Sequence, residues 1–408
     1  MQARLYHVAI TGLGVVSPLG SGASTLWEGL LAGCRGLTSL TKFDPTGLRN
    51  QKAGQVNDWQ FDPAEYGLQQ APDEATQFLL AAAHEAVADA GLDDRLHPGA
   101  EPVAQAGAVL GTNFGGAASW ESYINGVLVG RPSPTAFEQF SFHEALSLLS
   151  SSFALSGPCS QLSMACASGT AAIGYGAELI RTGQAELVLV GGYDALAPSI
   201  LSGLSLLRTM TDDDLYPFSA NRSGTLFGEG AGVLVLENLQ RAHQRRVRCY
   251  GEVLGAWQNN NAYHLTAPDA GGAGMARALR GALQVAGIAP EDLDHINAHG
   301  TGTEYHDVAE TEAIKAVLGP AAYDITVVSI KGAISHLMGA AGAVEGVVTA
   351  LALFHQMVPP TTNYGDPDPA CDLDYVTTGA RRQPIKHAAS LSAGIGGDNA
   401  CVVLGRLI

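Results

Sequence analysis

Phe227-Gly-Glu-Gly-Ala-Gly-Val-Leu-Val-Leu236 and Ile395-Gly-Gly-Asp-Asn-Ala-Cys-Val-Val-Leu404 share one pattern, a glycine turn running into a short apolar strand. A second pair of stretches lies upstream of these. Ala86-Val-Ala-Asp-Ala-Gly-Leu92 resembles Ala282-Leu-Gln-Val-Ala-Gly-Ile288, each reading as a helix that ends at a glycine C-cap. Two matched pairs in the same order mark an internal duplication and predict two related α/β halves. Within each half, short apolar runs such as Glu186-Leu-Val-Leu-Val-Gly-Gly192 and Thr326-Val-Val-Ser-Ile330 alternate with Ala-rich helical stretches, the pattern of buried strands flanked by helices. Each half is therefore a layered α/β unit. The boundary is expected near residue 250, giving halves 1–250 and 251–408, and residues 112–160, rich in Ser, Phe and Pro, read as an excursion from the first half.

The chain has 408 residues, 46% of them hydrophobic, enough for one large or two medium cores. A formal net charge of −17 argues against sequence-independent binding to nucleic acid or an anionic bilayer, both of which need a basic patch. The opening MQARLYHVAITGLGVV reads as a first buried strand, no run is expected to reach transmembrane length, and the expected location is cytosolic. Gly12-Leu-Gly-Val-Val-Ser17 lacks the third glycine of a dinucleotide loop and the acidic residue that should follow it, so that reading is rejected. Six cysteines (34, 159, 166, 249, 371 and 401) form no CxxC pair, so free thiols and no metal are expected.

One of the six stands apart. In Gln161-Leu-Ser-Met-Ala-Cys166-Ala-Ser-Gly169 a cysteine precedes an apparent helix, where the helix dipole favours the thiolate. Small neighbours leave room for a substrate carbonyl, and the Cys166 N–H is placed to donate to a developing oxyanion. A buried cysteine is more often an inert core residue, so the case for Cys166 rests on what accompanies it. In the second half, Asn297-Ala-His299-Gly-Thr301-Gly-Thr303 sets a histidine just after a strand, and the hydroxyls of the two threonines suit an extended polar arm such as pantetheine. Ser329-Ile-Lys331-Gly-Ala-Ile-Ser-His336 then repeats the strand, loop and helix arrangement found around Cys166. The repeat offset of about 168 residues carries Cys166 to near His336, which predicts that the two face each other.

Cys166, His299 and His336, each in its own motif, together with Lys331, Glu345 and the closing Gly394-Ile-Gly-Gly-Asp-Asn399, closely resemble the β-ketoacyl-[acyl-carrier-protein] synthases of the type I/II elongating class, over nearly the whole chain. The resemblance implies the thiolase fold, with two related halves in an αβαβα arrangement. It implies an acyltransferase in which Cys166 accepts an acyl group and malonyl-carrier protein loses carbon dioxide. His299 and His336, largely neutral, then stabilise the enolate, which attacks the Cys166 thioester. Lys331 and Glu345 would form a buried ion pair that organises the site, and Asp307 and Glu310 would be structural acids nearby. Thr301 and Thr303 would bind pantetheine, and the N–H groups of Cys166 and Ile395 would form the oxyanion hole. No cofactor is implied beyond the phosphopantetheine of the acyl carrier protein. The expected partners are that carrier and a second subunit, in a homodimer or a chain-length-factor type of heterodimer, with residues 142–165 as interface.

Four departures from the family pattern bear on specificity. Ile395 replaces the phenylalanine that gates the acyl pocket, and Thr225 replaces a second phenylalanine, which predicts a larger or more polar malonyl site. Phe114 stands where a small or aliphatic residue is usual and is expected to shorten or redirect the acyl pocket. The segment Tyr66-Gly-Leu-Gln-Gln-Ala-Pro-Asp-Glu-Ala75 has no Lys or Arg with which to meet an acidic carrier protein, leaving Arg208 as the expected contact. These features point to a polyketide or other specialised synthase. The alternatives are a non-catalytic chain-length-factor subunit, or a malonyl decarboxylase or acyltransferase that does not condense.

Overall fold

The computed structural model describes residues 6–103 and 105–407. Residues 1–5, assigned above to the first strand, lie outside the described residues. Among the described residues, five strands of more than two residues precede residue 250: β1 (Val8–Ser17), β2 (Ala106–Gly111), β3 (Cys159–Leu162), β4 (Leu187–Asp194) and β5 (Gly230–Asn238). Five follow it: β6 (Gly251–Asn260), β7 (His295–Asn297), β8 (Thr326–Val328), β9 (His387–Ala393) and β10 (Asp398–Gly405). All ten join one sheet in the order β3-β2-β4-β5-β1-β6-β10-β9-β7-β8, with the two-residue strand Gly20–Ser21 paired to β1. Outward from the centre each half runs first, fifth, fourth, second and third strand. Both halves use the same pairings, two antiparallel and then two parallel. They meet where β1 pairs with β6 at Ala9 and Ile10.

The duplication extends to the helix ends. At the end of α1 (Glu74–Asp89) the Leu92 N–H bonds the Val87 carbonyl at 3.1 Å around left-handed Gly91, and at the end of α3 (Ala273–Ala286) the Ile288 N–H bonds the Leu283 carbonyl at 3.1 Å around left-handed Gly287. This is the Schellman closure that the two matched sequences predicted, and it satisfies carbonyls a free helix end would expose. Of the other long helices, α2 (Ser168–Arg181) and α5 (Ala341–His355) pack against strands of both halves, whereas α1 covers the outer face of the first half and α3 that of the second. Helix α4 (His306–Leu318) packs on α3. The layering is the αβαβα arrangement of the thiolase fold.

Close backbone packing accounts for many of the glycines. Gly12 and Gly14 sit inside fully buried β1, where an added Cβ would lie 2.1 Å from the Ala86 carbonyl oxygen and 1.9 Å from that of Ala82. They exist to let α1 lie flat on the sheet, a role that explains them without any nucleotide. In the middle layer a Cβ on Gly169 would meet the Ala343 nitrogen at 2.4 Å, and one on Gly342 the Thr170 nitrogen at 2.6 Å, so the first turns of α2 and α5 interlock. One expectation is corrected here: Met338–His355 is long and apolar enough to cross a membrane, but 89% of it is buried inside the fold. Its valines and leucines are core residues, each worth roughly 1.5–3 kcal/mol on full burial.

The excursion carries three short helices, Ala117–Leu128, Pro134–Gln139 and Phe142–Ser152, and leaves Val127, Leu128, Val129 and Phe137 exposed. It leads into β3, the strand at the first-half edge of the sheet.

Candidate active site

Between β3 and α2 the chain turns sharply through Ala165, whose φ is +47°, and places Cys166 just before the first turn of α2. Ser168 locks this elbow, its hydroxyl donating to the Ala165 carbonyl at 2.6 Å and accepting the Met164 N–H at 2.8 Å. The loop before β10 packs so tightly on the elbow that a Cβ on Gly394 would lie 3.2 Å from the Cys166 nitrogen. That contact brings the Ile395 N–H to the Cys166 sulfur as a hydrogen-bond donor. Burial nevertheless pushes the Cys166 thiol up to about 12, outweighing the lowering by Lys331 and the Ile395 amide. The expected thiolate meets an opposing effect here: at 5% exposure, desolvation of the anion exceeds what Lys331 and the Ile395 amide return.

His299 follows β7 in a loop held by Glu310 of α4, whose carboxyl oxygens accept the N–H groups of His299 at 2.7 Å and Gly300 at 2.8 Å. Asp307 does the same one turn earlier, accepting the Phe218 N–H at 2.7 Å and the Gly302 N–H at 3.1 Å. Burial raises both carboxyls, Glu310 to about 8 and Asp307 to about 6. His336 sits between two left-handed residues, Ser335 and Met338, and its backbone is stitched to the first-half loop: its N–H bonds the Leu226 carbonyl at 2.8 Å and its carbonyl accepts the Gly228 N–H at 2.9 Å. Gly228 is needed there, since a Cβ would lie 2.0 Å from Ser335 Oγ.

The rings of His299 and His336 meet edge to face, centroids 5.2 Å apart, and Phe227 stacks on His336 at 5.6 Å. Both histidines are held well below their ordinary range by burial and then by the Lys331 charge, so both are neutral. The tautomers follow from neighbours. The Met338 N–H donates to His336 Nδ1 at 3.2 Å, and the Lys331 ammonium stands 3.4 Å from His299 Nδ1, so each ring carries its proton on Nε2. Lys331 also donates to the His299 carbonyl at 2.5 Å and to Glu345 Oε1; lysine and glutamate are both buried.

Cys166, His299 and His336 open on one cavity of about 330 Å³, lined also by Thr225, Thr301, Thr303, Arg208 and Ile395. Thr301 and Thr303 share a hydrogen bond at 3.1 Å, while the buried Thr225 hydroxyl has no partner. Arg208 is exposed at the rim beside Leu207. Phe114 does not line this cavity; it packs in an apolar cluster with Phe227 and Ile395. Phe227 and Ile395 occupy matching places in the repeated sequence, so both glycine turns end on the same cavity.

Two residues escaped the sequence reading. Asp194, at the end of β4, accepts the Thr112 hydroxyl at 2.7 Å and the N–H groups of Asn113, Phe114 and Gly339, tying first-half loops to the turn after His336. His306 lines the cavity with its ring 4.9 Å from that of His299. Its position one helical turn before Glu310 is the sequence signal that could have found it.

A cysteine on a strand-to-helix elbow, facing two neutral histidines contributed by the duplicate half, defines a condensing enzyme of the thiolase fold. Comparison with known proteins narrows the class. The family profile "Beta-ketoacyl synthase, N-terminal domain" matches residues 6–242 and "Beta-ketoacyl synthase, C-terminal domain" matches residues 250–365. The chain is 39% identical to a putative polyketide beta-ketoacyl synthase 1 of Streptomyces halstedii, covering 98% of this chain and 97% of that one. It is 36% identical to 3-oxoacyl-[acyl-carrier-protein] synthase 2 of Coxiella burnetii, with 98% and 99% covered. Two solved structures superpose with TM-scores of 0.90 over 99% of this chain and all of theirs: the ishigamide ketosynthase/chain length factor at 33% identity, and a type II polyketide ketosynthase in complex with its acyl-carrier protein, bound to the hexaketide, at 32%. The chain belongs to the β-ketoacyl synthase family. It is an acyltransferase that carries out ketosynthase condensation in polyketide or fatty-acid biosynthesis.

Proposed function

We propose that Cys166 is the acyl-accepting nucleophile, its proton passing to the pantetheine thiolate that departs as the donor thioester bond breaks, and that His299 and His336 stabilise the enolate formed from a malonyl thioester. The observation that carries this reading is the pair of neutral imidazoles with Nδ1 occupied, leaving two Nε2–H donors for a single thioester oxygen. The C–C bond to the malonyl carboxylate breaks, carbon dioxide leaves, and the electron pair enters the enolate. The resulting carbanion attacks the Cys166 thioester carbonyl, and collapse of the tetrahedral intermediate expels the Cys166 sulfur. The Ile395 and Cys166 N–H groups stabilise the oxyanion of that intermediate. Lys331 and Glu345 position His299, while Thr301 and Thr303 receive the pantetheine arm. No further cofactor takes part.

The acyl donor and extender both arrive on an acyl carrier protein, with Arg208 at the cavity rim as a contact. The carrier-bound ketosynthase structure supports this partner, and the Streptomyces relative supports a polyketide pathway. A second ketosynthase-like subunit joins along the β3 edge, where the strand is open and the excursion leading into it exposes Val127, Leu128 and Phe137. The ketosynthase/chain-length-factor structure supports that assembly. The location we propose for the enzyme is the cytoplasm. Sedimentation at micromolar concentration, alone and with a candidate sister subunit, tests the assembly; a monomer in both cases refutes it.

The chemistry is tested by intact-protein mass after exposure to a panel of acyl-carrier thioesters, with Cys166→Ala as control, followed by malonyl-carrier protein and product analysis. Acylation at Cys166 and a β-ketoacyl product are expected. Carbon dioxide release without a longer product would overturn the condensing role.

A further inference from the structure

His306 differs from the other two cavity histidines in one respect. Their Nδ1 atoms are occupied, which fixes their tautomers, whereas neither ring nitrogen of His306 has a hydrogen-bond partner. The Glu310 carboxyl, through Oε2, stands 3.9 Å from Nδ1, beyond hydrogen-bond reach. The side chain is only 14% exposed, so it carries two unmet hydrogen-bonding capacities on the wall of the cavity. Buried polar groups without partners are costly, and on a ligand-facing surface they mark where a ligand supplies the partner. Thr225 adds a third such atom to the same cavity.

We propose that His306, which shares the cavity with the unpartnered Thr225 hydroxyl, binds the carboxylate of the malonyl extender and orients it for decarboxylation. This rests on the reading that His299 and His336 hold the malonyl thioester oxygen. The carboxylate carbon lies only two bonds from that carbonyl carbon, so the group that binds it must stand close to those histidines on the same cavity. His306 does, with its ring 4.9 Å from that of His299. A free tautomer lets His306 present N–H to whichever carboxylate oxygen arrives. Burial and Lys331 keep the ring neutral, lowering it to about 4. That neutrality suits the step. A full cation would stabilise the ground-state carboxylate and oppose its loss as carbon dioxide, whereas a neutral donor fixes the angle of the breaking bond at little cost to the barrier.

The test separates the two half-reactions. His306→Ala should acylate Cys166 from an acyl-carrier thioester at the wild-type rate, while KM for malonyl-carrier protein rises about tenfold, the loss of one hydrogen bond to a charged group. His306→Asn, which keeps an N–H donor, should recover most of that loss. As an inhibitor of the acylated enzyme, the methyl ester of the malonyl-carrier thioester should bind wild type and His306→Ala equally, because it lacks the charge that His306 reads. An unchanged KM in His306→Ala, or an equal fall in acylation and condensation, overturns the proposal. Failure of the wild type to acylate at Cys166 would instead remove the reading on which it rests.

Discussion

Lys331 holds His299 from two sides, its Nζ donating to the His299 carbonyl at 2.5 Å and standing 3.4 Å from Nδ1 of the same residue. With Glu345 as its third partner, every ammonium proton is used, and one side chain sets the position and tautomer of the histidine and adds to the burial that keeps it neutral. Lysine and glutamate are both about 1% exposed, so removing one member leaves the other buried and unpaired. Lys331→Ala is therefore expected to destabilise the protein by about 3–5 kcal/mol and Lys331→Ala/Glu345→Ala by less. Urea unfolding of the single and double variants checks this; a double variant as unstable as the sum of the singles would show that the pair is not coupled.

The raised Cys166 thiol has a direct consequence for reactivity. Protonated at neutral pH, it should react slowly with iodoacetamide, with a rate that climbs about tenfold per pH unit through pH 10 rather than levelling near the ordinary thiol value of about 8.5. A plateau below pH 9 would show that the Ile395 amide and the helix terminus outweigh burial after all.

Asp194 touches neither cysteine nor histidine, yet it accepts donors from the Phe114 loop and from Gly339, three residues after His336. Asp194→Asn replaces one acceptor oxygen by a donor and leaves at least one of those groups unpaired, at about 1–3 kcal/mol. The expected result is a lower melting temperature and a condensation rate reduced more than the rate of Cys166 acylation, because the displaced turn carries His336. Equal loss in both rates would refute that route.

Phe114 fills the apolar cluster that also holds Phe227 and Ile395, next to the cavity rather than in it. Phe114→Ala opens space behind Ile395 and should shift the products toward longer acyl chains, at a stability cost at or below the ~3–5 kcal/mol of a fully buried phenylalanine. Product analysis with carriers of graded acyl length decides; an unchanged distribution would make Phe114 a packing residue only.

The sequence alone determined the duplication, because its signals are local. A glycine turn before a strand and a glycine closing a helix are written in adjacent residues, and each half repeats them in order. It also singled out Cys166, His299 and His336, since each stands at the end of a recognisable strand or elbow. Tertiary structure alone decided their chemical state. The Cys166 thiol is raised because of what buries it, and the histidines are neutral because they are buried and because the Lys331 charge reaches both rings. His306 lay unnoticed in a plain helical start until α4 brought its ring against His299. Desolvation and Coulomb interactions depend on distances between residues far apart in the chain, and no local pattern encodes those distances.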